Sequence, residues 1–456
     1  MKRLLIYNWN PIDSPLGGGV TKYIKNIVPA LLDTGDFEIY YLSSGTRYTK
    51  DGKQKIEKVN NSFDSRVKTF ELVNSVVLAP IMQSVKNLVY YLHDESQADL
   101  IRKFITKGRF DIIHVNNLEG LTLASLSLAE EFPDTRFIYS AHNYTAICTR
   151  ATLWKDADTR GHNCDKKSFE ECSHCYRQVS RNIELFSRKY LSWLKGKHLI
   201  TWGYSEIFPD KVSENVFQEY EVQTIDVLNQ FDVNLAVSAR VKHILVNHGL
   251  REDKTFVSYI GTKVAGNALG ACNTDIHADP FTIIYMGYMT AEKGYEFFAD
   301  CIEELAKRKD ISKRIRVKIV ARNNDNEKAF TEKIRNVEHS YYSVEWVNGY
   351  TKDNQRELLS NVNLGIVPVM WEDNLPQVAI EQVALGVPIL VSDLGGAQEI
   401  CNNADFIFEA GNKEQFIEKL IDIYEHRDLL NDFWNTSMKL VTMQEHIQEL
   451  ERFYAE

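Results

Sequence analysis

The chain has 456 residues, 44% of them hydrophobic and 25% charged, the balance of a soluble globular protein long enough for two domains, each with its own core. Its net charge of −10 excludes a general nucleic-acid binder. No apolar run reaches membrane-spanning length and the opening MKRLLIYNWN reads as a first strand, not a signal peptide, so the expected compartment is the cytoplasm.

Residues 3–7 read as a short buried strand. The loop 11–19 follows, ending in Gly17-Gly18-Gly19, and a helix over 20–32 carries apolar Ile24, Ile27, Val28 and Leu31. The glycine run fits either a flexible turn or a loop that lets backbone approach a ligand without Cβ interference. It is not the GxGxxG fingerprint, because Val20 breaks the spacing. A second strand is expected over 38–42, and the polar stretch 44–66 reads as loop or a peripheral hairpin. From 72 to 107 the pattern is helical and apolar on one side, with Val76, Leu78, Ile81, Val85, Leu88 and Leu92; core packing is the preferred reading.

The strand 111–116 ends in His114 and Asn116, and the strand 136–143 ends in Ser140-Ala141-His142-Asn143. One strand-end histidine is usually structural; two at carboxyl strand ends suggest a site. The polar segment after them, about 144–176, reads as an insertion holding Cys148, Cys164, Cys172 and Cys175. Four thiolates can close a tetrahedral structural zinc site, with His162 and His174 as substitute ligands, in a loop too polar to fold by burial alone. Free thiols in a reducing compartment are the alternative. Next, Arg177, Arg181, Arg188, Lys189, Lys195 and Lys197 interleave with Leu185, Phe186, Tyr190, Trp193 and Leu194. This basic, aromatic amphipathic helix suits a peripheral membrane contact or packing on its own domain. A helix over 225–231, strand 234–238, helix 239–248 and strand 255–260 complete a domain over 1–262.

Residues 263–280 are poor in apolar groups and read as the linker. A fresh alternation begins at 281, with strands 281–287, 316–321 and 344–347 and helices 292–308, 327–337 and 353–359. The apolar run 364–369 is a further buried strand, followed by the polar loop Trp371-Glu372-Asp373-Asn374 and a helix opening at Pro376. Gly386 and Pro388 stop that helix, and strand 388–391 leads through Ser392-Asp393-Leu394-Gly395-Gly396 into another. Helices over 413–426 and 442–454 close the chain. Alternation in both halves predicts an α/β protein of two doubly wound, Rossmann-like domains, the second over 281–440. Two adjacent βα junctions at carboxyl strand ends suit phosphate or sugar oxygens. Asp373 and Glu381 lie roughly 10 Å apart along the helix axis, too far to share one bond but suited to opposite ends of an elongated ligand.

Acid, seven residues, acid, then Gly-x-Pro, a strand and Asp-x-Gly-Gly-x-x-Glu resembles the donor-site signature of retaining glycosyltransferases of family four, with the GT-B fold. The resemblance implies two domains facing across a cleft, with helix 441–456 crossing back to the first. It gives Asp373 the donor sugar, where the family usually has Glu, and Glu381 the nucleotide ribose; Asn374 and Leu375 lie in the same motif. Gly287-Tyr288-Met289-Thr290-Ala291-Glu292-Lys293-Gly294 is similar to the family's Gly-Arg-x-x-x-Glu-Lys-Gly. There Arg and Lys neutralise the leaving diphosphate; here Lys293 is present, Tyr288 replaces the Arg, and Arg322 at the next strand end is the nearest substitute by sequence. By the same resemblance Gly18 and Gly19 line the donor phosphate and acceptor, and His142 lies under the scissile bond. Some polysaccharide-assembling members carry a similar cysteine set after that histidine.

These expectations describe a retaining glycosyltransferase moving a sugar from a nucleotide-diphosphate donor to a glycan or lipid-linked acceptor, in cell-surface polysaccharide assembly. Lys293 and helix N-termini would carry the charge without a catalytic metal. The DxD at Asp156 and Asp158 is chance on this reading. An apolar surface over 72–107 for a lipid-linked acceptor, and a seat at the inner face of the membrane, are the sharper alternatives for those stretches. The Tyr288 and Asp373 departures motivate a second reading, a non-catalytic partner or sugar-binding subunit; a nucleotide-sugar epimerase is a third.

Overall fold

The computed structural model describes residues 1–14, 18–80, 85–155, 162–164, 168–175, 189, 214–322 and 327–455. The basic helix expected over 177–197 (Lys189 apart), the DxD pair and Gly17 lie outside the described residues. The chain forms two compact units: one comprises 1–153, 165–260 and 443–456, the other 154–164 and 261–442.

In chain order the strands of the first three hundred residues are β1 Lys2–Tyr7, β2 Phe37–Ser44, β3 Lys55–Val59, β4 Lys68–Val73, β5 Ile112–Val115, β6 Arg136–Ala141, β7 Trp154–Lys155, β8 His162–Asn163, β9 Val233–Ala236, β10 Thr255–Val257 and β11 Phe281–Tyr288. The short antiparallel ribbon β7–β8 goes with the second unit. The first unit is one sheet in the order β10-β9-β6-β5-β1-β2-β4-β3, parallel except at β3. β5 and β9 are buried throughout, as strands covered on both faces must be. β1 pairs with β2 on one side and β5 on the other, so the strand order reverses at β1 and leaves a crevice beyond its carboxyl end.

The edge pair β3–β4 is the peripheral hairpin form of the polar stretch, with Ile56 opposite Leu72. The expected helix from 72 to 107 is not one element. Leu72 and Val73 finish β4, Asn74 turns the chain at φ 59°, and described helices run only over Val85–His93 and Ser96–Gly108. Of its apolar residues, Leu78 and Leu88 are fully buried and Leu92 nearly so, while Ile81 lies outside the described residues.

The first helix, Gly19–Thr34, buries Ile24, Ile27, Val28 and Leu31 on the sheet. The terminal helix Met443–Ala455 belongs to the same core through Ile447, Leu450 and Tyr454. Those residues and His446 form a single buried stripe of helical spacing.

The second unit adds β12 Ile315–Arg322, β13 Ser343–Asn348, β14 Leu364–Val367, β15 Ile389–Ser392 and β16 Ile407–Phe408. Its sheet is wholly parallel, in the order β13-β12-β11-β14-β15-β16. β11 sits at the reversal, bonded to β12 and β14. The helix expected over 292–308 starts later, at Tyr295, because Gly294 is left-handed at φ 75°.

Candidate functional site

In the second unit the carboxyl ends of β11 and β14 lie side by side at the reversal of strand order, where open α/β sheets place ligands. The loop after β11 is pressed onto the segment after β14. Gly294 is required there: its φ is positive, and a Cβ would collide with the carbonyl of Pro368. Met370 N–H donates to the Glu292 carbonyl at 2.9 Å. This seam delivers Lys293, whose Nζ donates to Asp373 Oδ2 at 2.6 Å and lies 4.8 Å from the centroid of the Trp371 ring. The Asp373 side chain is 10% exposed and that of Lys293 30%, so the carboxylate compensates a cation partly withdrawn from water.

A second glycine closes the other wall. Gly395, at φ 65°, packs its Cα against the Asp373 backbone with no room for a Cβ, and Gly396 N–H donates to the Asp373 carbonyl at 2.8 Å. Glu372, 3% exposed, accepts from Gly395 N–H at 3.1 Å and from Asn163 Nδ2 at 3.4 Å. It therefore ties the ribbon β7–β8 and the Gly395 turn to one loop. The sequence motif passed over Glu372 because its acid-to-acid spacing fits Asp373.

Glu381 lies on the helix Gln377–Ala384 and accepts from Tyr350 Oη at 2.7 Å. Burial, then Glu381, drives the Tyr350 phenol pKa above its ordinary value, so it stays a donor. Tyr350 follows Gly349, over which Arg322 lies: an ideal Cβ on Gly349 would stand 3.1 Å from Arg322 Cγ. Arg322 is also the register partner of Tyr288 across β11–β12, and both side chains are exposed. Gly287, at φ 147°, precedes Tyr288. So Tyr288, Arg322, Tyr350 and Glu381 line one run of the sheet edge, and Lys293 and Asp373 the next. Three buried polar atoms here have no hydrogen-bond partner among the described residues: Thr290 Oγ1, Trp371 Nε1 and Asn374 Nδ2. Leu375, 7% exposed, backs this loop. Buried donors left unpaired in a protein are costly unless something outside the chain pairs them.

The first unit gathers polar groups at the ends of β1, β5 and β6. His142 is half-buried; its Nε2 lies 3.1 Å from Asn116 Oδ1, and its ring packs on Tyr23 with centroids 4.6 Å apart. Burial, with His446 adding, pushes the His142 pKa down to about 3, so the ring is neutral at physiological pH. Asn143 Nδ2 donates to Asn117 Oδ1 at 3.1 Å. His114, two residues before Asn116, is a fully buried structural residue held between Tyr454 Oη at 2.8 Å and Ser140 Oγ at 2.7 Å. Gly18 and Gly19 open the first helix with nothing within 4 Å of where a Cβ would sit, so neither crowding nor a positive φ demands glycine there.

Cys148, Cys164, Cys172 and Cys175 form no disulfide and are partly exposed. Among the described residues no three His, Cys, Asp or Glu side chains are grouped to hold a metal; the side chains of the substitute ligands His162 and His174 lie outside the described residues.

The two doubly wound parallel sheets are the GT-B fold, as the resemblance implied, and the comparisons agree. Residues 280–426 match the family model described as Glycosyl transferases group 1. Solved structures of the same fold span the whole chain at low identity. HepE from Anabaena in complex with UDP and glucose has a TM-score of 0.56 at 12% identity, covering 99% of each chain. Sucrose-phosphate synthase from Thermosynechococcus elongatus has 0.57 at 10%, covering 100% of this chain and 98% of that one. The α,α-trehalose 6-phosphate synthase of Burkholderia multivorans has 0.58 at 12%, with the same coverage. No curated protein matches the sequence. Among the described residues no helix is long and apolar enough to cross a membrane.

Proposed function

We propose that the protein is a retaining glycosyltransferase whose second unit binds a nucleotide-diphosphate sugar and whose acceptor is a glycan or lipid-linked oligosaccharide of cell-surface polysaccharide assembly. The observation that carries the donor reading is the loop at β11 and β14: a fixed cation, Lys293, paired to a buried sugar-type carboxylate, Asp373, beside the unspent donors Trp371 Nε1 and Asn374 Nδ2. A phosphorylated, polyhydroxylated ligand pairs all of them. Lys293 then meets diphosphate charge, Asp373 and Asn374 meet sugar hydroxyls, and the Tyr350–Glu381 pair meets the ribose. Three of the similar structures bear UDP, UDP-glucose or UDP-2-fluoro glucose, which supports a nucleotide sugar here. Catalysis on this reading is positioning plus stabilisation of the departing diphosphate, with His142 orienting the reacting centre.

The acceptor rests on the resemblance and on the helix Val85–His93, which exposes Val89 and Tyr90. For the cysteine insertion the proposal is one zinc without catalytic duty. Elemental analysis near one equivalent supports it, and metal-free protein with four reactive thiols overturns it.

Thermal stabilisation by a panel of nucleotides and nucleotide sugars tests the donor. A ligand at a hundred times its Kd raises native stability by about 2.7 kcal/mol. Stabilisation by one nucleotide-sugar class, followed by acceptor-dependent release of nucleotide, is expected. Binding without any transfer or hydrolysis favours the non-catalytic subunit, and no stabilisation by any of them removes the donor site.

A further inference from the structure

Two hydrogen bonds fasten the terminal helix to the first unit, and each joins a histidine to a tyrosine. Tyr454 Oη on the helix meets His114 Nδ1 on β5 at 2.8 Å. His446 Nε2 on the helix meets Tyr23 Oη on the first helix at 2.8 Å. The first bond ends on a structural histidine buried on a central strand of the sheet. The second ends on a tyrosine whose ring packs against His142, tilted by 52°.

We propose that His446 is a positioning residue, which through Tyr23 fixes the ring of His142 at the carboxyl edge of the sheet. Tyr23 is 4% exposed and His446 1%, so water cannot take over either partner. The His446 ring meets Tyr23 edge-on as well, with centroids 5.5 Å apart. Its other nitrogen, Nδ1, points toward Glu449 Oε2 at 3.7 Å, and that carboxylate accepts from Ser258 Oγ at 2.6 Å. The line Ser258–Glu449–His446–Tyr23–His142 is thus built from four segments: the end of β10, the terminal helix, the first helix and the end of β6. Glu449 favours the tautomer with the proton on His446 Nδ1, which leaves Nε2 to accept from the Tyr23 phenol. With its hydroxyl tied, Tyr23 cannot swing, and the His142 ring is held between the Tyr23 ring and Asn116 Oδ1. No step of proton transfer is needed; the line sets an orientation, which a neutral imidazole needs in order to present one nitrogen as donor and the other as acceptor.

The inference rests on the reading of His142 as the group at the reacting centre, and the experiment separates the two. In protein labelled with ¹⁵N-histidine, the ring nitrogens of His142 are assigned by their loss in His142→Gln. His446→Ala and Tyr23→Phe should each shift or broaden the His142 signals, and His446→Gln, which restores an acceptor for Tyr23, should bring them back toward the parent. Tyr454→Phe removes the other histidine–tyrosine bond of the same helix and should leave them unchanged. Turnover is followed with UDP-glucose as the probe donor. His446→Ala and Tyr23→Phe should lower kcat tenfold or more with KM changed less than threefold, and His446→Gln should recover most of it. Unchanged His142 signals in His446→Ala overturn the inference, as does a Tyr454→Phe effect equal to that of His446→Ala, which would make the bond a mere anchor. Full activity in His142→Ala would instead overturn the catalytic reading, leaving the ring measurement to decide the positioning.

Discussion

Lys293 Nζ and Asp373 Oδ2 stand 2.6 Å apart although 80 residues separate them in the chain. The pairing of β11 with β14 makes the contact, and two glycines, Gly294 and Gly395, let the flanking loops close on it. The pair fixes the cation before any ligand arrives, so that little reorganisation is needed as charge develops on a leaving diphosphate. Lys293→Ala should reduce turnover by on the order of a hundredfold, comparable to losing one oxyanion donor, with a smaller change in donor binding. Steady-state kinetics on the donor found by the stabilisation screen would check this. A variant that loses only donor affinity would show that Lys293 binds ground state and transition state alike.

Arg322 is the register partner of Tyr288, which is the position where the family's arginine would stand. A side chain from the neighbouring strand can therefore bring its charge to the same edge. Arg322→Ala should cost turnover as Lys293→Ala does, and Tyr288→Arg in that background should restore part of it. If Arg322→Ala is silent and Tyr288→Arg alone raises turnover, the cation position is unfilled and Arg322 serves elsewhere.

Glu381 already accepts from Tyr350 at 2.7 Å, which holds its carboxylate at one orientation. Glu381→Ala should weaken nucleoside-diphosphate binding by about 1.5–3 kcal/mol, the worth of a charge-assisted hydrogen bond. Tyr350→Phe should weaken it less, because the carboxylate remains and only its orientation is freed. Calorimetric titration of the three proteins gives the order; equal affinities would take Glu381 out of the nucleotide site.

The second unit was the more legible half. Its strands are short runs with buried side chains, such as Leu364–Val367 and Ile389–Ser392, and each announces itself without its neighbours. The motif offered Asp373 and Glu381 together because strand, loop and helix follow directly in sequence, and Lys293 came from a second motif after β11. Tyr350 and Glu372 were missed for a different reason. Each acts through a partner 31 or 23 residues away, and nothing in local spacing encodes which loop will fold against which. The first unit misled at 72–107, where an apolar run continues from an edge strand into a turn and imitates a helical stripe; Asn74 at positive φ is the break. His446 had a visible signal, a histidine inside the apolar stripe of an amphipathic helix, but its partner Tyr23 lies 423 residues away.

The last prediction concerns acid stability, and it comes from three groups at the first unit's sheet. His114 is fully buried and its pKa is pushed down to about 3, by burial first and then by His142 and His446. His142 is pushed down to about 3 as well. Glu119, 4% exposed, goes the other way: burial raises its carboxyl to about 7. In the unfolded chain histidine titrates near 6.5 and glutamate near 4.3. Below pH 6.5 the unfolded chain takes up two protons that native His114 and His142 refuse, so their stabilisation is complete above 6.5 and lost progressively toward about 3. Glu119 is protonated when native and ionised when unfolded between about 4.3 and 7, so its contribution is complete below 4.3 and lost as pH rises through 7. In the window from 6.5 to 4.3 the two histidines oppose one glutamate, and the three together release a net dependence of one proton. Stability should therefore fall on acidification by about 1.4 kcal/mol per pH unit from these groups. Glu119→Gln removes the opposing proton, and its urea-unfolding free energy should fall more steeply than the parent's by about the same amount per unit. His114→Gln should make the fall shallower by a like amount. Parallel slopes for Glu119→Gln and the parent between pH 6.5 and 4.5 would mean that Glu119 is ionised in the native protein, with its neighbours Asn117 and Asn143 solvating the charge.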